Sequence, residues 1–204
     1  MTKTPQPHPG HPLLARIIDG AMWPMRRLRK KMVSQASGQV LEVGVGTGLN
    51  FACYDDIELL HGVEPDPYML KRAEKRSENL DYPIHLHEVG GEALPFEDAS
   101  FDTVVATWVL CTIPEPELAL AEMYRVLRPG GRMIYVEHTR SKNRLASTVQ
   151  DGLNPIWKTF AGGCNINRDS VSMIHEVGFS EVTVKPSGSE NWTIFPMYRG
   201  IAFK

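Results

Sequence analysis

The sequence predicts an α/β fold built on a mostly parallel sheet with an antiparallel edge. Three observations carry that reading. After Gly38, short β-rich runs alternate with helical ones, the signature of crossover units. The first of those strands runs straight into Gly44-Val45-Gly46-Thr47-Gly48, a glycine-rich turn from strand to helix. Near the carboxyl end, Val182-Thr183-Val184 and the stretch from Tyr198 to Phe203 form a hairpin-like pair joined by a loop containing Ser, Gly and Pro.

Residues 1 to 12 hold Pro5, Pro7, Pro9 and Pro12 among polar neighbours, a composition that neither packs a core nor sustains a helix, so they read as a flexible arm. From Leu13 to Val33 apolar residues return at helical spacing (Leu14, Ile17, Ile18, Leu28, Met32), and Pro24 divides the run into two short amphipathic helices. Gln39 to Val43 is the first strand, and Thr47 to Tyr54 begins a helix. Leu59 to Glu64 is the second strand, Pro67 to Glu78 a helix, Ile84 to Val89 the third strand and Phe101 to Thr107 the fourth. Glu115 to Leu127 is a helix stopped by Arg128-Pro129-Gly130-Gly131, which joins a helix breaker to residues of free dihedrals. Arg132 to His138 is the fifth strand. Asn167-Arg168-Asp169-Ser170 opens a last helix with Val171, Ile174 and Val177 on one face, Gly178 as a left-handed cap and Phe179 behind it.

The bulk numbers agree with one globular domain: 204 residues, 42% hydrophobic and 23% charged. A net charge of -2 and a pI near 6.4 point to a small-molecule partner and to no nucleic acid. Cys53, Cys111 and Cys164 are too few and too scattered for a disulfide framework, and the absence of a C-x-x-C pair leaves no metal expected. With no secretory apolar core at the start and no run of roughly 18 apolar residues, the expected setting is cytoplasmic. The basic run from Arg26 to Lys31 beside Trp23 and Met25 suits peripheral contact with an anionic membrane through residues 13 to 33; the competing readings are a solvated face or a helix that closes the ligand site.

The glycine loop narrows the ligand. Glycines at a strand's carboxyl edge let a ligand approach the backbone, although a tight turn could also demand them. A dinucleotide fold asks for G-x-G-x-x-G, and that pattern needs glycine where Leu49 stands. Glu42, two residues before the loop, would repel a diphosphate but attract an ammonium group. At the end of the second strand Glu64 can accept hydrogen bonds from two ribose hydroxyls, or serve as an acid at the start of the next helix, where Asp66 is available for the cap.

With Glu42 to Gly48, Glu64, Gly91-Glu92-Ala93-Leu94-Pro95-Phe96, Ser100-Phe101-Asp102 and Arg125 to Gly131 in order, residues 38 to 140 resemble the class I S-adenosylmethionine-dependent methyltransferases. The Ala-Leu-Pro-Phe and Leu-Arg-Pro-Gly-Gly segments are similar to the ubiquinone/menaquinone C-methyltransferase group. Val109-Leu110-Cys111, Glu137-His138 and Trp157 to Asn165 resemble the methyltransferase-like group that includes animal alkyl thiol methyltransferases. The resemblance implies a three-layer, Rossmann-like sandwich whose mostly parallel seven-stranded sheet has one antiparallel strand. It divides the chain into the arm at 1–12 and one methyltransferase domain at 13–204, with a helical cap at 13–37.

The same resemblance implies S-adenosyl-L-methionine as cofactor. Glu42 would hold its ammonium directly or through water, Gly44, Gly46 and Gly48 would let it pass, Glu64 would bind the ribose, and Pro65 and Met69 would flank the adenine. Where the quinone group has Gly-Asp-Ala, this chain has Gly90 and Gly91, so the adenine contact falls to the backbone of Gly91 and Ala93 or to Glu92; Thr107 would face the methionine part.

A sulfonium is already a strong electrophile, so the protein chiefly aligns an acceptor, which supplies on the order of 7–11 kcal/mol. His138, at the end of the fifth strand, is the candidate base, with a merely hydrogen-bonded imidazole as the alternative. Trp23, Cys111 and Trp157 are candidate acceptor contacts; the two tryptophans are equally readable as core, and a buried free cysteine usually behaves as a small apolar residue. The expected activity is methyl transfer to a small, rather apolar acceptor, with a thiol ahead of a phospholipid amine or a quinol. A module that binds the cofactor without turnover is the alternative class.

Overall fold

The computed structural model describes residues 10–187 and 194–204. The expected arm therefore lies outside the described residues except for its last three. Two helices open the chain, α1 (Pro12–Met22) and α2 (Arg26–Val33), and then strands and helices alternate. The strands are β1 (Ser37–Val43), β2 (Asp56–Val63), β3 (Ile84–His87), β4 (Phe101–Thr107), β5 (Leu127–His138), β6 (Glu181–Val182), β7 (Lys185–Pro186) and β8 (Met197–Phe203). Between them run α3 (Pro67–Ser77), α4 (Pro116–Val126), α5 (Arg144–Phe160) and α6 (Ser170–Glu176).

The sheet order is β3-β2-β1-β4-β5-β8-β6, with β7 also paired to β8. β1 to β5 run parallel, and β8 lies antiparallel to β5, β6 and β7. Strand periodicity sorts the core onto two faces. Leu41, Val43, Val104, Ala106, Met133 and Tyr135 pack with Leu120 and Met123 of α4 and Ile174 of α6. Val40, Leu60, Val105, Ile134 and Val136 pack with Met32 and Val33 of α2 and Leu70 and Ala73 of α3. The result is the expected three-layer α/β sandwich.

The sheet has eight strands because the sixth is split. Thr183, between β6 and β7, donates its N–H to Ile201 O at 2.9 Å, while its carbonyl accepts the Tyr135 hydroxyl at 2.7 Å. Gly200 makes that contact feasible, since a Cβ there would fall 1.8 Å from Thr183 O and 2.6 Å from Tyr135 Oη.

Two local expectations are corrected. The segment from Thr47 to Tyr54 forms a turn and a short 3-10 helix at Phe51–Cys53, because Asn50 and Tyr54 are drawn inward to a buried carboxylate. The first two helices do divide at Pro24, which fits the second position of a 3-10 turn, Trp23–Met25, where no amide donor is needed. β5 begins at Leu127, since Arg128 to Gly131 bulges out between Leu127, paired with Phe101, and Arg132, paired with Thr103. Among the described residues no helix is long and apolar enough to cross a membrane.

Candidate active site

Open α/β sheets bind ligands at the carboxyl edge where the strand order reverses. Here that point lies between β1 and β4, directly at the glycine loop. Gly44 has φ 73°, and a Cβ on it would come within 2.3 Å of Val109 Cγ2, so only glycine passes the exit of β4. Gly46 has φ 54°, yet a Cβ on it would meet nothing within 4 Å. The space over Gly46 is room for a ligand against bare backbone. Gly48 closes the turn, donating its N–H to Val45 O at 2.9 Å.

Glu42 lies beneath the loop, 1% exposed. Its carboxylate accepts Asn50 Nδ2 and the Tyr54 hydroxyl, both at 2.7 Å. Asn50 also donates to Thr107 Oγ1 at 3.0 Å and accepts Arg29 Nη1 at 2.6 Å, so one buried network joins α2, β1, the turn and the end of β4. Burial pushes the Glu42 carboxyl up to about 7 against these hydrogen bonds. Each oxygen retains a further lone pair.

Glu64 follows β2 and is almost as buried. Its two oxygens accept the amides of Gly46 at 2.8 Å and Asp66 at 3.0 Å, so the carboxylate reaches the loop at its open glycine. Burial raises it to about 7 as well. Asp66 caps α3, accepting from Tyr68 N and Met69 N, which leaves Glu64 free of that task. Pro65 is half-buried and Met69 buried in the same bend.

The connection after β3 closes on the same edge. Gly91 is buried, and a Cβ there would sit 2.9 Å from Val43 Cγ1. Glu92 is half-buried with its carboxylate folded towards Gly90, and Ala93 is exposed. Glu42, the loop glycines, Glu64, Pro65, Met69, Gly91, Glu92, Ala93 and Thr107 thus gather along the carboxyl ends of β1, β2, β3 and β4.

Sequence reasoning missed Asp19, Arg29, Asn50 and Tyr54. Thr47 Oγ1 donates to Asp19 Oδ1 at 2.5 Å, Arg72 pairs with Asp19 Oδ2 at 2.7 Å, and Arg76 joins both Asp19 and Thr47 O. Burial raises the Asp19 carboxyl, but hydrogen bonds from Arg76, Thr47 and Arg72 outweigh it and hold the carboxyl low. α1 is thereby clasped over the loop. An acid on one helix and two arginines 53 and 57 residues away leave no local pattern to read.

A second cluster lies past the ends of β4 and β5. Trp108 has φ 53°, a conformation that costs a non-glycine residue of order 1–3 kcal/mol. It is held by its N–H on Val136 O at 2.7 Å and by the Arg29 guanidinium 4.8 Å from its ring. Glu137 is fully buried and accepts Val109 N and Leu110 N; burial pushes it up to about 8. His138 is half-buried, with Nδ1 unpartnered among the described residues.

Cys111 and Cys164 are free thiols with sulfurs 3.4 Å apart. Because they share a hydrogen bond, Cys164 is drawn down, with His138 and Trp157 adding to the effect, while Cys111 is pushed up. Trp157 packs against Phe195 with centroids 4.7 Å apart, and the two join Leu153, Ile156, Phe160 and Ile166 in a groove of about 260 Å³. Phe195 also meets the His138 ring, at 6.4 Å. Of the three expected acceptor contacts, Trp157 lines the groove, and Cys111 lies outside its lining, packed on Cys164 and Ile166. Trp23 does not line the groove; the residue is 63% exposed, and its ring lies under the Arg26 guanidinium at 3.7 Å. Cys164, next to a Gly162-Gly163 pair in a segment singled out for its resemblance, was the residue that segment contributed.

Residues 41–135 match the family model described as a methyltransferase domain. Over 150 residues the chain is 33% identical to the thiol S-methyltransferase TMT1B of Rattus norvegicus, covering 72% of this chain and 62% of that protein. Over 125 residues it is 39% identical to the phosphatidylethanolamine N-methyltransferase of Cereibacter sphaeroides, covering 60% and 62%. The matched region is thus under two thirds of either relative's length. A solved structure from Thermotoga maritima, described as a possible histamine N-methyltransferase, shares the fold with a TM-score of 0.66 at 22% identity, covering 94% of this chain and 98% of that one. With the glycine loop, Glu64 and the strand order in place, the chain belongs to the class I S-adenosylmethionine-dependent methyltransferases and has S-adenosylmethionine as its cofactor.

Proposed function

We propose that the protein transfers the methyl group of S-adenosylmethionine to a small, rather apolar acceptor, with a thiol ahead of a phospholipid amine or a quinol. The observation that carries this reading is the apolar groove of Leu153, Ile156, Trp157, Phe160, Ile166 and Phe195, two of whose aromatic residues neighbour polar groups: Phe195 meets the His138 ring and Trp157 reaches Cys164. An apolar groove with a few polar groups beside it suits a small apolar substrate whose reactive atom needs positioning.

S-adenosylmethionine, when bound, supplies a methyl group on a positively charged sulfur. In this reading Gly46 leaves room for it, Glu64 accepts from the ribose hydroxyls, Glu42 acts on the ammonium through its remaining lone pairs or through water, and Thr107 faces the methionine part. Pro65 and Met69 flank the adenine, with Gly91, Glu92 and Ala93 at its edge. His138 takes the acceptor's proton. The acceptor sulfur bonds to the methyl carbon, the old carbon–sulfur bond breaks with its electron pair going to the leaving sulfur, and the proton passes from His138 to solvent.

Peripheral membrane contact through residues 13–33 is part of the reading, supported by exposed Leu13, Ile17 and Trp23. The basic run supplies less of it than its composition suggests, since Arg29 is buried on Asn50 and Lys30 pairs with Asp55.

Methyl-labelled cofactor offered with alkyl thiols, phospholipid vesicles and quinols separates the readings. Transfer to a thiol at the highest rate is expected. Faster transfer to a phospholipid amine or quinol replaces the acceptor, and bound cofactor that no acceptor discharges leaves a non-catalytic binding module.

A further inference from the structure

We propose that Cys111, His138 and Cys164 form a binding site for one thiophilic cation of the Zn²⁺ class. Cys111 stands in the turn after β4, His138 ends β5, and Cys164 follows α5, so three separate elements converge. One ligand atom from each lies within 4.8 Å of the other two, and the sulfurs are 3.4 Å apart. Both thiols are buried and unbridged. His138 Nδ1 is buried and has no hydrogen-bond partner among the described residues.

The chemistry of the set is selective. Zinc bonds of about 2.3 Å to sulfur and about 2.0 Å to nitrogen put tetrahedral sulfurs roughly 3.8 Å apart, a small opening of the observed pair. Two thiolates and an imidazole favour Zn²⁺ or Cu⁺ over the hard ions Mg²⁺ and Ca²⁺. The backbone holds the two cysteine turns together: Asn165 donates its N–H at 2.8 Å and its Nδ2 at 3.0 Å to Cys111 O. The loops are therefore set in position before any ion arrives. Two thiolates neutralise a divalent ion, which suits a buried place.

Three protein ligands leave one tetrahedral position open. Occupancy also engages the imidazole proposed above as the base, and so withdraws it from proton transfer. That consequence rests on the proposed function, whereas the metal site itself does not.

The test uses the full chain, reduced and freed of metal by chelation, then titrated with Zn²⁺ in competition with a chromophoric chelator. One equivalent is expected for the wild type and for Cys53→Ser, with affinity lowered roughly 10- to 100-fold or more in Cys111→Ser, Cys164→Ser and His138→Gln. Co²⁺ in place of Zn²⁺ should give the intense absorption of tetrahedral thiolate ligation in the wild type, a readout that needs no variant to fold. Absence of stoichiometric Zn²⁺ uptake by the wild type, uptake that survives loss of both cysteines, or a Co²⁺ spectrum without sulfur ligation overturns the proposal.

Discussion

A carboxylate buried without a full counter-charge holds its proton, and Glu42 and Glu64 both sit at about 7 for that reason. In the unfolded chain they ionise near 4.5. Their contribution to stability without cofactor is therefore full below about 4.5 and is lost as pH rises to about 7. Cofactor binding runs the other way, because the charged forms attract the ammonium and accept from the ribose. Affinity for S-adenosylhomocysteine is expected to rise between about pH 5.5 and 7.5 and then level off, as read by calorimetric titration; an affinity flat across that range contradicts the assignment. Glu64 was legible in the sequence because it ends a strand and Asp66 was there to cap the helix. Asn50, Tyr54 and Asp19 were not, since their partners lie across the fold or on a turn mistaken for a helix.

At the scale of elements, strands declared themselves wherever period-2 alternation coincided with burial. β4 runs from Phe101 to Thr107 as its unbroken β-rich run predicts, and both core faces divide by alternate residues. α5 was hidden for two physical reasons. Pro155 lies inside it, and its apolar residues Leu145, Val149, Leu153, Ile156 and Phe160 point outward instead of into the core. Only Ala146 and Gln150 are buried, and Gln150 joins Ser141, Thr139, Ile166 and Ile194 by hydrogen bonds. The split sixth strand was equally unreadable, because it depends on Tyr135 reaching through the gap at Gly200. Gly200→Ala is expected to destabilise the protein by about 1–3 kcal/mol through that clash, lowering the midpoint of denaturant unfolding. An unchanged midpoint would show that the Thr183 turn gives way freely.

Across the whole molecule, two sets of apolar residues face outward, the stripe of α5 and Leu13 and Ile17 of α1. Gly162, just after α5, lies against Leu14, so the two helices are neighbours at that end. Leu13 and Ile17 belong to residues 13–33, which we propose to rest on a membrane. Leu13→Glu and Ile17→Glu, both away from the groove, should each weaken co-sedimentation with anionic vesicles by about 1.5–3 kcal/mol. Binding that neither change affects removes this surface from the reading. The central claim is that the loop from Gly44 to Gly48, together with Glu64, is the cofactor site. Its most direct test is calorimetric titration of S-adenosylhomocysteine into the wild type and Glu64→Ala. One equivalent should bind the wild type, and the variant should lose about 1.5–3 kcal/mol of affinity. Equal affinity in the two proteins, or saturable binding of NAD in place of S-adenosylhomocysteine, would contradict it.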